Sequence, residues 1–563
     1  MHLRSRIFRI VLQLILLPCF ASFRATAQST GAGQASGETT STLQGAIRAG
    51  RLDELRWPVF SDFKVSVESF YRASGYGLAW VWQGRPTDRA QEMIQVFLQA
   101  DGEGLDPEDY DGPLWSARLA GLQGSGSARD EVRFDLALTV CAMRYISALR
   151  MGRIDPLHLK FAFDVRHKKL DLPSFLQRML ASAGDLKSEL AQIEPPFAEY
   201  KDTRVALLKY EALAKQDDGE KLTPPPGILF PGGPYEGVAR LARLLRLVGD
   251  LPQDAVIPAD EKTYDGLLVD AVKRFQERHG LAANGYLTAD TVDQLNIPLR
   301  DRVEQLKLAL ERFRWLRYNF TQPPVVVNLP GFRLYAFDKG GRVGLTMSVN
   351  VGDAYDFQTP VFENSIRYLV FRPYWNVPPK ILRNEVIPDI AADRNFVRDH
   401  EMEVTTTAGA VVTAGVVSDT VLRQLRSGTL LVRQKPGADN PLGRLKIIFP
   451  NEHHVYLHDT AQGGEMFSWD QRALSHGCIH LEHPAELAYW LLRDKPGWTL
   501  ERVQQAMQEG RDNVTVNLAA PVPILIVYTT AIAQAGGEVH FYRDIYGHDA
   551  ALRAALAKGY PYP

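Results

Sequence analysis

The pattern of apolar and polar positions changes once along the chain. Between residues 51 and 220, apolar side chains recur at three- and four-residue spacing, as in "RAQEMIQVFLQA" and "EVRFDLALTVCAMRYISAL", which predicts amphipathic helices. From Pro324 onward, β-branched and aromatic runs such as "VVVNLPGFRLYAF" and "IRYLVFRPYW" lie between Gly, Pro and Asn, which predicts strands. The pattern therefore predicts a multidomain α+β protein with a helical front half and a β-rich back half.

Breaks in this pattern divide the chain further. "PPPGILFPGGP" interrupts the helices, and a small unit follows that reads as a helix, a stop at Gly280 and a second helix capped by Thr288. A mixed stretch with a short helix around Ser418–Arg426 interrupts the strands. The predicted segments are a helical domain at 51–223, a small helical unit at 235–298, a connecting helix at 299–323, a β-rich domain at 324–550 with an insertion at about 379–433, and a C-terminal tail at 551–563.

The N-terminus has the pattern of a targeting segment. Three arginines precede a largely apolar run at 10–20, and the small residues at 25–27 follow. This order is typical of a secretory signal peptide over 1–27, cleaved after Ala27, although an uncleaved anchor remains an alternative. Residues 28–50, rich in Ser, Thr and Gly, predict a flexible linker. No later segment reads as a transmembrane helix, so we expect an exported, periplasmic protein.

The composition and the number of cysteines limit the classes of function that the chain can have. The 563-residue chain has a formal net charge of −2, so it offers no basic field for a nucleic-acid backbone. After signal cleavage two cysteines remain. Cys141 lies on an apolar stripe with helical spacing, which predicts a core thiol, although a disulfide with Cys478 stays open. If Cys478 is unpaired in an exported protein, we expect it to have a chemical role.

Cys478 lies in the histidine-rich stretch "LSHGCIHLEH". In "HVYLHD", strand alternation places His454, Tyr456 and His458 on one face, and the following loop is long enough to return the chain to His458. An adjacent imidazole activates a thiol, and a tight backbone at Gly477 directs amide groups toward an oxyanion. The sequence therefore predicts a Cys–His acyl-transfer site.

Two other interpretations of the histidines remain. The donors His454, His458, His476, Cys478, His480 and His483 are all compatible with zinc, but their spacing matches no closed Cys/His site and no HExxH pair is present. Alternatively, Cys478 is a core residue with unrelated surface histidines around it.

Six stretches carry a family resemblance. "YLHDT" at Tyr456–Thr460 followed by "SHGC" at Ser475–Cys478 resembles the signature of L,D-transpeptidases, cell-wall enzymes with a YkuD-type catalytic domain. Thr359–Pro378 and Arg433–Asn451 resemble the large YcbB-type subgroup. Val272–Asn296 resembles its peptidoglycan-binding helical domain, and Phe70–Val81 its N-terminal scaffold. The resemblance implies that the insertion at about 379–433 caps the active site.

The resemblance also implies roles for single residues. Cys478 corresponds to the nucleophile that attacks the carbonyl of the third stem residue, a diamino acid, and releases the terminal D-alanine. His458 corresponds to the base. His476 is expected as an auxiliary, Ser475 as support for the motif, and the backbone of Gly477 as part of the oxyanion hole. The residues expected to bind substrate are His480, Tyr456, Trp375, Tyr374 and Asn376.

One departure from the family concerns His480, which stands where relatives usually carry Arg, so donor or acceptor preference is in question. The implied reaction is transfer to a neighbouring stem through a thioester, without metal or nucleotide. The expected partners are peptidoglycan stem peptides, glycan strands and other wall-synthesis enzymes, with no nucleic acid. Alternatives are an L,D-carboxypeptidase, D-amino-acid exchange, or a non-catalytic wall-binding protein. Arg274 and Gln276 are expected to be solvated surface rather than glycan contacts.

Overall fold

The computed structural model describes residues 37–125, 127–461, 464–534 and 536–562. The predicted signal peptide and its cleavage site lie outside these ranges. Helices dominate the first part of the described chain and strands dominate the second. The multidomain α+β prediction is therefore confirmed. Within these ranges no helix is both long and apolar enough to cross a bilayer.

The front of the chain is a helical domain packed around one long, buried helix, α5, which carries Cys141 as a buried free thiol. Its helices are α1 (Gly37–Ala49), α2 (Lys64–Ala73), α3 (Asp88–Leu98), α4 (Trp115–Ser125), α5 (Ala128–Met151), α6 (Leu172–Ala181), α7 (Leu186–Ala191) and α8 (Ala198–Ala214), with a short ribbon of β1 (Val81–Trp82) and β2 (Arg85–Pro86).

The predicted linker at 28–50 is wrong where the structure describes it. Residues 37–49 form α1, because Leu43 and Ile47 lie one helical turn apart and bury their side chains in the core that α5 also enters. The linker was predicted because most residues of the segment are polar or small, and the two apolar residues were not recognised as a helical stripe.

The small helical unit has the predicted stop and cap. It contains β3 (Gly233–Pro234), α9 (Val238–Val248), β4 (Thr263–Tyr264), α10 (Leu267–Arg278) and α11 (Ala289–Leu295). Gly280 has a φ of +64°, which favours glycine, and Thr288 Oγ1 accepts the Thr291 amide at 3.2 Å. The surface expectation for Gln276 is wrong, because its buried amide donates to Tyr286 O and Thr291 Oγ1. Arg274 donates to the Asp250 carbonyl.

The connecting segment and the β-rich domain follow. The connecting helix α12 (Leu299–Phe313) ends before the predicted 323 and packs on α8. The strands are β5 (Val325–Asn328), β6 (Arg333–Phe337), β7 (Val343–Gly352), β8 (Phe362–Phe371), β9 (Trp375–Asn376), β10 (Met402–Thr406), β11 (Val411–Thr413), β12 (Leu430–Gln434), β13 (Leu445–Ile448), β14 (Leu457–His458), β15 (Ala473–Ser475), β16 (Ile479–Leu481), β17 (Val514–Val527), β18 (Ala531–Ala533) and β19 (Val539–Phe541).

The central sheet has the order β15-β7-β16-β14-β13-β8-β17-β5-β6, and β6 also pairs with β7. Strands distant in sequence therefore meet at its middle. The remaining helices are α13 (Pro379–Ile381), α14 (Ile387–Ala392), α15 (Phe396–Asp399), α16 (Asp419–Arg426), α17 (Pro484–Leu492), α18 (Leu500–Gln508) and α19 (His548–Leu556). A single π-helical turn, Leu382–Val386, joins α13 to α14.

The insertion is a small domain of its own, which we call the cap. A second sheet of order β11-β10-β12-β9 packs with α13–α16 around a core that includes Ile390, Val397 and Val404. The sheet starts at Trp375, before the predicted boundary at 379. Ser418 Oγ caps α16 by accepting the Val421 amide at 3.3 Å.

The C-terminal tail predicted at 551–563 is wrong as a separate element. Helix α19 runs across the proposed boundary because Leu552 is buried in the core of the β-rich domain. Beyond it, the guanidinium of Arg144 lies 4.7 Å from the Tyr560 ring centroid, and Tyr562 donates to Asp109. The end of the described chain thus docks on the helical domain.

Candidate active site

Three neighbouring strands bring the candidate chemistry together. Lys446 on β13 pairs with His458 on β14, and His458 pairs with His480 on the parallel strand β16. Alternation puts these side chains on one face, while the neighbouring Leu457 and Ile479 enter the core. Tyr456 and Cys478 lie two residues before His458 and His480, just outside β14 and β16, and Tyr456 is hydrogen-bonded to Cys478.

His458 is held as a neutral base. Its Nδ1 lies 2.5 Å from the Asp459 carbonyl oxygen, which can only accept, so Nδ1 carries the proton and Nε2 keeps its lone pair. Burial lowers the pKa of His458 well below its usual range, and the nearby His480 and Lys446 act in the same direction. The imidazole is therefore unprotonated near neutral pH and able to take a proton.

Cys478 is a free thiol whose neighbours include Tyr456 and Lys446. Burial raises the pKa of the Cys478 thiol, while hydrogen bonds from the Tyr456 backbone and side chain and the charge of Lys446 act against the rise. Its Sγ lies 4.0 Å from the His454 carbonyl oxygen. The expectation that His454 shares the strand face is wrong, because β14 begins only at Leu457 and His454 is exposed in a turn with φ of 57°.

Ser475 shapes the loop that carries Cys478. The Ser475 hydroxyl donates to the Cys478 carbonyl at 2.6 Å and accepts the Gly477 amide at 3.1 Å. Gly477 has a φ of 103°, a region that residues with a Cβ rarely adopt. Since its amide is already engaged by Ser475, the expected oxyanion role of Gly477 requires that this hydrogen bond be shared or broken.

Residues that the sequence analysis missed form hydrogen bonds and close contacts that hold the Cys478 loop. Thr359 Oγ1 accepts the Gly352 amide at 2.8 Å and donates to the Gly477 carbonyl at 2.9 Å. Tyr546 donates to the Gly352 carbonyl at 2.6 Å. A Cβ on Gly352 would lie 1.9 Å from the Phe357 carbonyl oxygen, so only glycine fits there. No local pattern marks these residues, because each acts through a partner distant in sequence.

His476 faces the cap. Its Nε2 lies 3.1 Å from Glu385 Oε1, in the π-helical turn of the cap, and both side chains are about half exposed. The ring also meets Phe357 edge-on at 4.5 Å, and Lys380 lies 3.8 Å from the centroid of that phenyl ring. These contacts link the Cys478 loop to the cap and give no support to an auxiliary-base role for His476.

His480 is a neutral group in a buried position. Burial, with a smaller effect of His476, lowers the pKa of His480 to about 4. Its ring centroid lies 4.3 Å from that of His458, and its Nδ1 is buried without a hydrogen-bond partner. At neutral pH this side chain cannot supply the positive charge of the family's arginine.

The remaining predicted substrate residues belong to the cap sheet. The Arg433 guanidinium lies 4.4 Å from the Tyr374 ring centroid, and Arg433 also pairs across the strands with the exposed Asn376. Trp375 packs against the cap core. Asn376 is exposed, whereas Tyr374 and Trp375 are both half-buried.

The six donors of the zinc interpretation are spread over several environments. His454 is exposed in its turn, His476 pairs with the cap, and His483 Nε2 lies 3.8 Å from Glu482. Among the residues that the structure describes, no three His, Cys, Asp or Glu side chains converge as a metal site would require.

Comparisons with known proteins match three consecutive regions. Residues 65–207 match a family model described as a scaffold domain, residues 235–295 one described as a "Putative peptidoglycan binding domain", and residues 323–517 the L,D-transpeptidase catalytic domain, YkuD.

Among curated proteins, a "Putative L,D-transpeptidase" of Haemophilus influenzae is 30% identical over 232 residues, which are 41% of this chain and 45% of that protein. The match therefore spans less than half of the relative. Among solved structures, the crystal structure of the L,D-transpeptidase (residues 123–326) from Xylanimonas cellulosilytica matches at 13% identity, covering 54% of this chain and 100% of that chain, with a TM-score of 0.17.

Proposed function

Because the chain belongs to the L,D-transpeptidase family with a YkuD-type catalytic domain, in the scaffold-bearing YcbB-like architecture, we propose that it cross-links peptidoglycan. The donor is a tetrapeptide stem, cleaved between its third residue, a diamino acid, and the terminal D-alanine. The acceptor is the side-chain amine of the diamino acid on a neighbouring stem. Export to the periplasm is part of this proposal, since the substrate lies outside the cell.

In the first half-reaction, Cys478 Sγ attacks the carbonyl carbon of the third stem residue and its proton passes to His458 Nε2. The new C–S bond replaces the C–N bond to D-alanine, and the D-alanine amine leaves with the proton from His458. In the second half-reaction, the acceptor amine attacks the thioester and gives a proton to His458. The C–S bond breaks, a C–N bond forms, and the thiol is restored.

One observation carries the proposal: His458, whose neutral imidazole is tied through Nδ1 to the Asp459 carbonyl, pairs with His480, two residues beyond Cys478, on the neighbouring strand. That hydrogen bond selects the tautomer in which the unprotonated Nε2 is the acceptor, as a general base requires. The Thr359 and Ser475 hydroxyls hold the backbone on both sides of Cys478.

The test is incubation of the purified protein with a disaccharide tetrapeptide, with products and intact protein measured by mass spectrometry. We expect a thioester on Cys478, free D-alanine and a cross-linked dimer, and none of these with C478A. Tripeptide without dimer would instead identify a carboxypeptidase, and exchange of an added D-amino acid an exchange enzyme. No adduct and no product from the folded wild-type protein, with stem peptide or with a carbapenem, would contradict the proposal.

A further inference from the structure

Lys446 lies on the face that carries Cys478, although the family signature does not include it. It is the strand partner of His458, and its Nζ lies 3.7 Å from the ring centroid of Tyr456, the neighbour of Cys478. The side chain of Tyr456 is also hydrogen-bonded to Cys478, and its ring centroid lies 5.6 Å from that of His458. A cation is attracted to the face of an aromatic ring, so this contact holds Lys446 in place.

The charge of Lys446 has no carboxylate to balance it. Within the described ranges, its ammonium forms no ion pair or hydrogen bond, and the ring of Tyr456 is its recorded contact. Burial lowers the pKa of Lys446, and the charge of the Cys478 thiolate opposes that decrease. Lys446 is half-buried, and a partly desolvated ammonium without a counter-ion is costly. The thiolate is the anion available to it.

We propose that Lys446 is a positioning residue whose positive charge stabilises the Cys478 thiolate during acylation. The proposal rests on the proposed function, in which that thiolate attacks the stem peptide. Lys446 neither gives nor takes a proton; the thiol proton passes to His458. Since the interaction is mutual, a thiolate at Cys478 favours the charged form of Lys446, and the charge of Lys446 favours the thiolate over the thiol.

The same charge acts on the base. Lys446 lies across the strand pair from His458 and helps to hold its imidazole unprotonated. An imidazolium at His458 would compete with the lysine, whereas a neutral imidazole does not. The fixed cation of this site is therefore Lys446, and His458 is left free to accept a proton.

Other groups facing this arrangement do not supply the charge. The register places Tyr368 on β8 and His480 on β16 on the same face, and Tyr456 immediately precedes β14. The tyrosines are neutral when protonated, and His480 is neutral above a pH of about 4. Arg444 lies toward Asp459, whose carboxylate accepts the Arg444 amide at 2.9 Å.

The experiment measures the thiol directly. The rate of Cys478 alkylation by iodoacetamide is followed against pH in the wild-type protein, K446M and K446R, because the thiolate is the reacting form. In K446M we expect the titration midpoint of the thiol to rise by about one pH unit and the rate at neutral pH to fall about tenfold. In K446R, which keeps the charge, we expect a profile close to that of the wild type.

The control is K339M, which removes a charge from an exposed lysine of the same domain and should leave the profile unchanged. Near-ultraviolet circular dichroism checks the fold, and K446Q replaces K446M if the latter does not fold. A folded K446M or K446Q with the wild-type alkylation profile would overturn the inference. Alkylation requires no stem peptide, so a failure of transpeptidation with a shifted profile would refute only the proposed function.

Discussion

The imidazole rings of His458 and His480 lie with their centroids 4.3 Å apart, side by side on parallel strands. One ring is tied through Nδ1 to a backbone carbonyl, and the other has a buried Nδ1 with no partner. Two neutral imidazoles thus lie where the family resemblance leads us to expect a histidine beside an arginine. Near neutral pH neither ring supplies a positive charge to the site.

Among the described residues the buried Nδ1 of His480 has no hydrogen-bond partner, and this predicts how substitutions of His480 change the stability of the protein. In H480F the ring contact with His458 remains and the unsatisfied polar atom is lost, so we expect the free energy of unfolding to stay equal or to rise by about 1 kcal/mol. H480R buries a charge against neutral rings and should lower stability by about 1–3 kcal/mol. Chemical denaturation measures both. A marked loss of stability in H480F would show that the Nδ1 is satisfied in solution.

The lowered pKa of His480 also predicts a pH dependence of stability. The folded pKa of about 4 lies below the unfolded value of about 6.5, so the unfolded chain binds more protons between them. The stability of the wild type should therefore fall as pH decreases through this window. In H480F this part of the slope should be absent. Equal slopes in the two proteins, from denaturant titrations at several pH values, would contradict the prediction.

The state of the catalytic pair predicts a second pH profile. Because burial raises the pKa of Cys478 and His458 stays neutral, we expect no preformed imidazolium–thiolate pair. Alkylation of the wild-type thiol should continue to rise with pH beyond the ordinary cysteine pKa of about 8.5. A plateau that starts in the acidic range would instead indicate an ion pair.

The close packing around Gly352 predicts that a larger residue at this position would disturb the Cys478 loop. A Cβ there would lie 1.9 Å from the Phe357 carbonyl oxygen and 2.9 Å from Gly477 Cα. We expect G352A to lower stability by about 1–3 kcal/mol and to slow acylation by displacing the Cys478 loop. The matched control is G344A on the same strand, where the nearest atom would be 3.6 Å away. Similar losses in both variants would show that the strand, and not the close contact, is sensitive.

The Glu385–His476 contact predicts that the cap controls the access of bulky reagents to Cys478. Both groups are about half exposed, so E385Q should change stability by less than about 1 kcal/mol. If the contact holds the cap over the loop, E385Q should accelerate acylation by a bulky carbapenem but leave the rate with iodoacetamide unchanged. D389N, on the exposed side of α14, is the control. Equal effects on both reagents would exclude control of access by this contact.

Short-range patterns in the sequence predicted many of the helices and strands. Thr288 and Ser418 are visible as helix caps because a cap acts within one turn. The apolar spacing around Cys141 indicated a buried helix, and the alternation of Tyr456 and His458 indicated their common face. The motif resemblance identified Cys478 and His458 together, since both lie in short stretches that neighbour each other in the chain.

The sequence by itself thus determined the helical and β-rich halves, and it predicted Cys478 as nucleophile and His458 as base. Only the tertiary structure decided that Lys446 faces Tyr456, that Thr359 supports Gly477, and that residues beyond 550 return to the helical domain. The register of the sheet decides which side chains share a face, and long-range packing decides burial. Burial in turn makes His458 and His480 neutral, and no periodicity along the chain contains that information.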